Sequence, residues 1–196
     1  MLPLAAMETS LYLFPRPVLG DPPDPAAVHE LLHLRGFVGA PLEGDRHRAG
    51  KTFAAQITYA GCSPHLVLEP PPDDPLACTH VRIFTELPPR LRITPKRGRP
   101  RCPGCAAVVK AWEEHLPEWE ENAALAWRCP SCGLKTPAAE LDWRQYGVAG
   151  RLLVEVTRVW PGEALPADAL LVALEEATGR LWSYGWAQSS RACPEL

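Results

Sequence analysis

The sequence predicts an α+β protein: an antiparallel-rich sheet with two helices, interrupted by a small metal-binding insertion. Three observations carry that expectation. Strand-like and helix-like segments follow one another as strand, helix, strand near both ends of the chain. Short segments of alternating polarity, without helical periodicity, lie between those end units. Two Cys-x-x-Cys pairs then stand in the middle, Cys102-Pro103-Gly104-Cys105 and Cys129-Pro130-Ser131-Cys132.

Leu11, Tyr12, Leu13 and Phe14 read as the first strand, ended by Pro15 and Pro17. Asp24 followed by Pro25 is a helix start: a capping side chain, then a proline at the first helical position. That helix runs to about Arg35, and Gly36 is its stop. Ala27, Val28, Leu31 and Leu32 form the face expected to be buried. Residues 53–60 and 65–69 read as strands around a turn at 61–64. His80 to Phe84 alternates cleanly, and Leu91, Arg92 and Ile93 do so briefly. Residues 152–160 give the strongest strand signal. Residues 166–178 read as a helix with Leu170, Leu171, Leu174 and Ala177 inward and Gly179 as stop. Residues 181–187 close the chain as an aromatic strand. Two β-α-β units around antiparallel strands predict a two-layer sandwich of ferredoxin-like type. It is expected over residues 1–95 and 140–196, with 96–139 inserted.

Composition narrows the function classes. The chain has 196 residues, of which 46% are hydrophobic, ample for a packed core. A net charge of −3 implies no global attraction to nucleic acid or membrane. No apolar run is long enough to span a bilayer. The first six residues are apolar but lack the basic region of a signal peptide, and Met7 is an alternative start to Met1. Seven cysteines without an export signal point to the reducing cytoplasm. The 23 prolines concentrate at 22–25, 64–75 and 88–103, which read as rigid connections between apolar segments.

Two Cys-x-x-Cys knuckles place Cys102, Cys105, Cys129 and Cys132 where four thiolates can surround one tetrahedral ion. Each turn carries a proline and a small residue, and Gly133 can supply the positive φ that such a knuckle needs. Residues 106–128 separate the pairs, somewhat more than the usual spacing of about fifteen to twenty. The longer loop costs only about 0.2 kcal/mol in closure entropy. The expected cofactor is one structural Zn²⁺ per chain, and an iron–thiolate site would use the same ligands. Residues 100–136 resemble the zinc-ribbon family, which implies a rubredoxin-like pair of knuckles and no particular activity. Ala106 departs from that pattern, standing where glycine often follows the first pair. The pattern is also similar to small uncharacterised bacterial proteins, a likeness that supplies no activity.

His29-Glu30-Leu31-Leu32-His33 fits the H-E-x-x-H pattern, in which two histidines one helical turn apart share a zinc ion and the glutamate acts as base. With His47 as third ligand and a four-cysteine ribbon further on, the chain partly resembles the SprT-like metallopeptidases. The resemblance implies Glu30 as the base and His29, His33 and His47 as a second metal site. It departs from that family in having too little chain before the motif to build the sheet that supports the catalytic helix. The simpler reading is an amphipathic helix with His29, Glu30 and His33 on its solvated side.

The segment from Gly44 to Thr52 approaches a phosphate-binding loop but has five residues between its glycines where four are required, so no nucleotide is expected. Arg90, Arg92, Lys96, Arg97, Arg99 and Arg101 lead into the ribbon. With Lys110 they make seven positive charges over 90–121 against five glutamates, a sum of +2. Nucleic-acid contact through Arg97, Arg99 and Arg101 is one reading and charge pairing within the chain the other. Trp112, Trp119, Trp127, Trp182, Tyr184 and Trp186 are expected to be core. Cys62, His65, Cys78 and His80 have loose spacings for a further metal site. The resulting expectation is a non-enzymatic protein that binds another protein, with nucleic acid second and no membrane.

Overall fold

The computed structural model describes residues 9–60, 66–74 and 76–189. The elements in chain order are β1 (Thr9–Pro15), α1 (Pro25–Leu34), β2 (Val38–Pro41), β3 (Arg46–Ala49), α2 (Phe53–Gln56), β4 (Ile57–Tyr59), β5 (His80–Thr85) and β6 (Arg92–Ile93). After them come α3 (Leu116–Glu121), β7 (Ala126–Arg128), β8 (Lys135–Pro137), β9 (Gly147–Val148), β10 (Leu152–Val156), β11 (Ala164–Pro166), α4 (Asp168–Thr178) and β12 (Trp182–Gln188). Six strands form the main sheet in the order β12-β1-β10-β5-β3-β2, and its neighbouring pairs are antiparallel. The pairs β11–β4, β6–β9 and β7–β8 form small separate ladders. The protein is thus α+β with a mostly antiparallel sheet and, among the described residues, four α-helices. No helix of the described residues is long and apolar enough to cross a membrane.

The two long helices start and stop for local reasons. At α1 the Asp24 carboxylate accepts a hydrogen bond from the Ala26 amide at 3.0 Å, and Pro25 occupies the first turn. Gly36 then turns the chain at φ 66°. Gly179 ends α4 in the left-handed region at φ 63°.

Both faces of the central strands are buried. Leu11 and Leu13 on β1 and Val154 and Val156 on β10 pack with Val28 and Leu32 of α1 and Leu170 and Leu174 of α4. The alternate residues Tyr12, Phe14 and Leu153 face the other way. They pack against Leu91, Ile93, Val109, Trp119, Trp143 and Val148 from the cysteine-bearing segment and the chain on either side of it. A strand covered on both sides has no polar face to alternate with, which is why β10 is buried at all five positions.

Several sequence readings are corrected. Ala27 is exposed and Leu31 half-buried, so the inner stripe of α1 is Val28 and Leu32. Residues 53–56, read as strand, form a single helical turn before β4. The Gln56 amide holds that turn by donating to the Arg35 carbonyl at 3.1 Å and the Thr52 hydroxyl at 3.0 Å. The described part of 65–69 is not strand; residue 65 lies outside the described residues. The polar stretch around His47, where no strand is expected from the sequence, belongs to the hairpin β2–β3. Its side chains on β3 are all half-buried, so they show no contrast of faces for the sequence to display. The strand read through Trp160 ends at Val156, because Arg158 turns left-handed at φ 57° and Trp160 points to solvent.

Candidate metal centre

The four cysteine sulfurs all lie within 4.8 Å of one another. The cross pairs are close to equal, Cys102 to Cys132 at 3.7 Å and Cys105 to Cys129 at 3.6 Å. Four thiolates about 2.3 Å from one ion in a tetrahedron would be spaced about 3.8 Å apart. The site therefore fits a four-thiolate ion without rearrangement, and the same donor set suits zinc or iron.

Two matching turns build this spacing. The Ala106 amide donates to the Cys102 carbonyl at 2.8 Å, and the Gly133 amide to the Cys129 carbonyl at 2.9 Å. One residue on, the strands close again, Cys102 amide to Ala107 carbonyl at 2.9 Å and Cys129 amide to Leu134 carbonyl at 2.8 Å. Both turns need a left-handed residue at the same place, Ala106 at φ 58° and Gly133 at φ 75°. The hairpin β7–β8 carries the second knuckle, and backbone bridges from Arg101 to Val108 and Asp142 hold the first. Trp143 anchors the base: its indole N–H donates to the Ala138 carbonyl at 2.8 Å, and its ring meets Trp112 and Trp119 edge-on.

Backbone amides are aimed at the sulfurs. Burial raises the Cys129 thiol, but the amides of Cys132 and Ser131 outweigh it and bring that group down to about 6. The Ala107 amide favours the Cys105 thiolate, yet burial and the three neighbouring sulfurs push that thiol up to about 12. Four thiolates this close repel, and a dication supplies the charge that lets all of them ionise.

Ala106 carries an unfavourable backbone state that glycine would relieve. Ala106→Gly is expected to raise stability by up to about 1 kcal/mol, read as a higher chemical-denaturation midpoint with unchanged metal content. Gly133→Ala should do the reverse by a similar amount.

The histidines partly converge. His29 Nε2 lies 3.1 Å from His47 Nε2, while the rings of His29 and His33 are parallel at 6.2 Å. His33 does not join the pair in a metal-holding group: among the described residues only the four cysteines gather as three or more metal-ligating side chains, and Glu30 is exposed. Burial and then the positive charge of His29 hold His47 below the usual histidine range, against the opposing pull of Asp45. The folded state therefore takes up the His47 proton less readily than the unfolded chain. This contribution to stability is complete above about pH 6.5 and is lost as pH falls through the depressed folded value. His29→Gln removes the repelling charge and should reduce the loss of thermal stability measured between pH 7 and 5.

The other singled-out residues fall as follows. Arg101 donates to the Ala106 carbonyl at 3.2 Å, and Arg97 lies over the Tyr146 ring and donates to its hydroxyl at 3.3 Å. Arg99 is exposed. Trp119, Trp182 and Trp186 are buried, and Trp112, Trp127 and Tyr184 half-buried. Lys51 and Thr52, at the end of the glycine-flanked segment, lie in the turn between β3 and α2. Cys62 and His65 lie outside the described residues. Cys78 and His80 are buried, and a His80 ring nitrogen lies 2.9 Å from the Cys78 carbonyl.

Sequence reasoning missed a buried carboxylate. Glu155 on β10 is fully buried, and its Oε1 accepts from Ser10 at 2.7 Å, Tyr12 at 2.9 Å and Ser189 at 2.8 Å. Arg82 stands 3.5 Å from its other oxygen and forks onto Asp45 at 2.9 and 2.8 Å. A glutamate inside an otherwise apolar strand was the available signal.

No family model, no curated protein and no solved structure matches the chain.

Proposed function

We propose that the chain is a zinc-binding protein in which a zinc ribbon, set on a ferredoxin-like sheet, acts as a non-enzymatic module that binds another protein. The observation that carries this reading is the closed set of four cysteine sulfurs. An ion held by four thiolates has no open position for a substrate or an activated water. Beside the knuckles the ribbon presents Val108, Leu125 and Leu134 to solvent, small apolar contacts amid charged residues. The strand order β12-β1-β10-β5, with α1 and α4 together on one face, supports the ferredoxin-like assignment. The described cysteines carry no disulfide, which supports a reducing cytoplasmic setting.

Nucleic acid is the weaker reading because Arg97 and Arg101 already have partners within the chain. The peptidase reading is weaker still because His33 stays apart from the His29–His47 pair.

Metal analysis and X-ray absorption on the purified full chain test the proposal. The expected result is one zinc per chain with four sulfur neighbours at about 2.3 Å. Val108→Glu and Leu134→Glu together should leave zinc content unchanged and abolish a crosslinked complex formed in the native cell. A second zinc lost on His29→Ala, together with peptide hydrolysis, would replace the binding reading with the peptidase one. Salt-dependent RNA or DNA binding that weakens when Arg99 is neutralised would replace it with the nucleic-acid one.

A further inference from the structure

A cavity of about 280 Å³ lies where the segment after the ribbon meets the β12 edge of the main sheet. That volume corresponds to the liquid share of roughly nine waters, enough for a small organic molecule. Its apolar walls come from Phe14, Trp143 and Trp182, all buried. Its polar lining includes two guanidinium groups, Arg16 and Arg144, against one carboxylate, Asp142. The accessible lining is more polar than apolar, and aromatic side chains with convergent polar groups are what small-molecule sites use to hold their ligands.

The wall that carries Arg144 is built at a cost. Arg144 and Gln145 are consecutive non-glycine residues in the left-handed region, at φ 51° and 69°. Such states persist where the surroundings force them, and they concentrate at ligand-holding sites. Here three contacts force them. The Asp142 carboxylate accepts from the Arg144 amide at 3.0 Å, the Trp143 carbonyl accepts from the Tyr146 amide at 2.9 Å, and the Gln145 carbonyl accepts from the Trp186 amide at 2.6 Å. Gly147 completes the arrangement, since a Cβ there would stand 2.5 Å from the Trp143 ring. The turn thus fixes the backbone from which Trp143 and Arg144 line the same space.

The charged groups differ in how far they are committed. Arg16 is held by Glu140 at 3.2 Å and by the Ser183 hydroxyl at 3.3 Å, which fixes the plane of its guanidinium. Arg144 is exposed and makes no ion pair among the described residues. Guanidinium forks match carboxylates in two parallel hydrogen bonds, and indole and phenyl faces take flat rings.

We infer that this cavity binds a small planar aromatic carboxylate, its ring between the Trp143 and Trp182 side and Phe14, and its carboxylate on Arg144. The inference does not depend on the function proposed for the ribbon.

Benzoate and indole-3-carboxylate are the probes, titrated into the zinc-loaded full chain and followed by tryptophan fluorescence and by amide shifts of residues 142–147 and 182–184. Ligands of this size are expected to bind with Kd on the order of 0.1–1 mM. Benzamide, which keeps the ring and lacks the charge, should bind at least fivefold more weakly. Arg144→Asn removes the guanidinium while tolerating the left-handed backbone, so the fold is kept. It should weaken both carboxylates at least fivefold and leave benzamide unchanged. Absence of shifts at those residues, or a smaller difference between benzoate and benzamide, or between the native chain and Arg144→Asn, overturns the inference. Zinc content measured on the same samples reports separately on the ribbon.

Discussion

Cys129→Ser is expected to release the metal and to melt residues 101–137 while the main sheet persists. Cys129 is the sulfur most strongly favoured as thiolate by its neighbouring amides, and it lies on the buried side of the site. The knuckles have few apolar contacts of their own; around them Cys102, Val109 and Cys129 are buried while Cys105 and Cys132 reach the surface. With an ion bound as proposed, their fold would rest on it, since metal-binding energy in such a site is folding energy. The loss should extend beyond the knuckles, because Val109 and Trp119 also cover Tyr12 and Leu153 of the sheet. A fall in melting temperature of about 10 °C or more is expected, with loss of near-ultraviolet circular dichroism from the clustered tryptophans. Chelation of the native chain should give the same spectrum, and unchanged spectra after complete metal removal would show that the ion is dispensable.

Arg82→Met is expected to cost about 3–5 kcal/mol, which for a chain of this size lowers the melting temperature by about 6–20 °C. The guanidinium lies between the fully buried Glu155 and Asp45 and stacks on Phe84 at 4.5 Å. Removing it leaves the Glu155 carboxylate with its three hydroxyl donors and without the Arg82 guanidinium. The double variant Arg82→Met with Glu155→Met should be less destabilised than the sum of the single variants, because it removes both charges together. Strict additivity in urea denaturation would mean that the pair is not coupled. Burial raises the Asp45 carboxyl, but the Arg82 hydrogen bond and charge outweigh it and hold the group below its ordinary value. The resulting stabilisation is present above about pH 4 and is lost as pH falls through the lowered folded value. Arg82→Met should therefore also flatten the acid end of the stability profile.

The parts legible in the sequence were those fixed by neighbours close along the chain. Asp24 and Pro25 mark the start of α1 because a cap and a first-turn proline act within three residues. Two Cys-x-x-Cys turns mark the four-sulfur cluster because each knuckle closes on itself, as the bonds from Ala106 and Gly133 show. The missed elements depend on distant partners. Nothing near His47 announces a strand; β3 exists because β5 and β2 pair with it on either side. Nothing near Glu155 says that its partners are Ser10, Tyr12, Ser189 and Arg82, which are brought to it from β1, from beyond the end of β12 and from β5.

Local sequence was enough for the α+β class, the two long helices α1 and α4 and the four-sulfur cluster, since these rest on periodicity and spacing that a local chain segment enforces; the short helices α2 and α3 were not read from it. The tertiary structure alone decided that the cysteine-bearing segment covers the second face of the sheet, that His47 meets His29 without His33, and that Arg16 and Arg144 share a cavity. The physical reason is range. Capping and knuckle geometry act over a few residues, whereas burial and ion pairing are settled only when segments far apart in the chain are packed together.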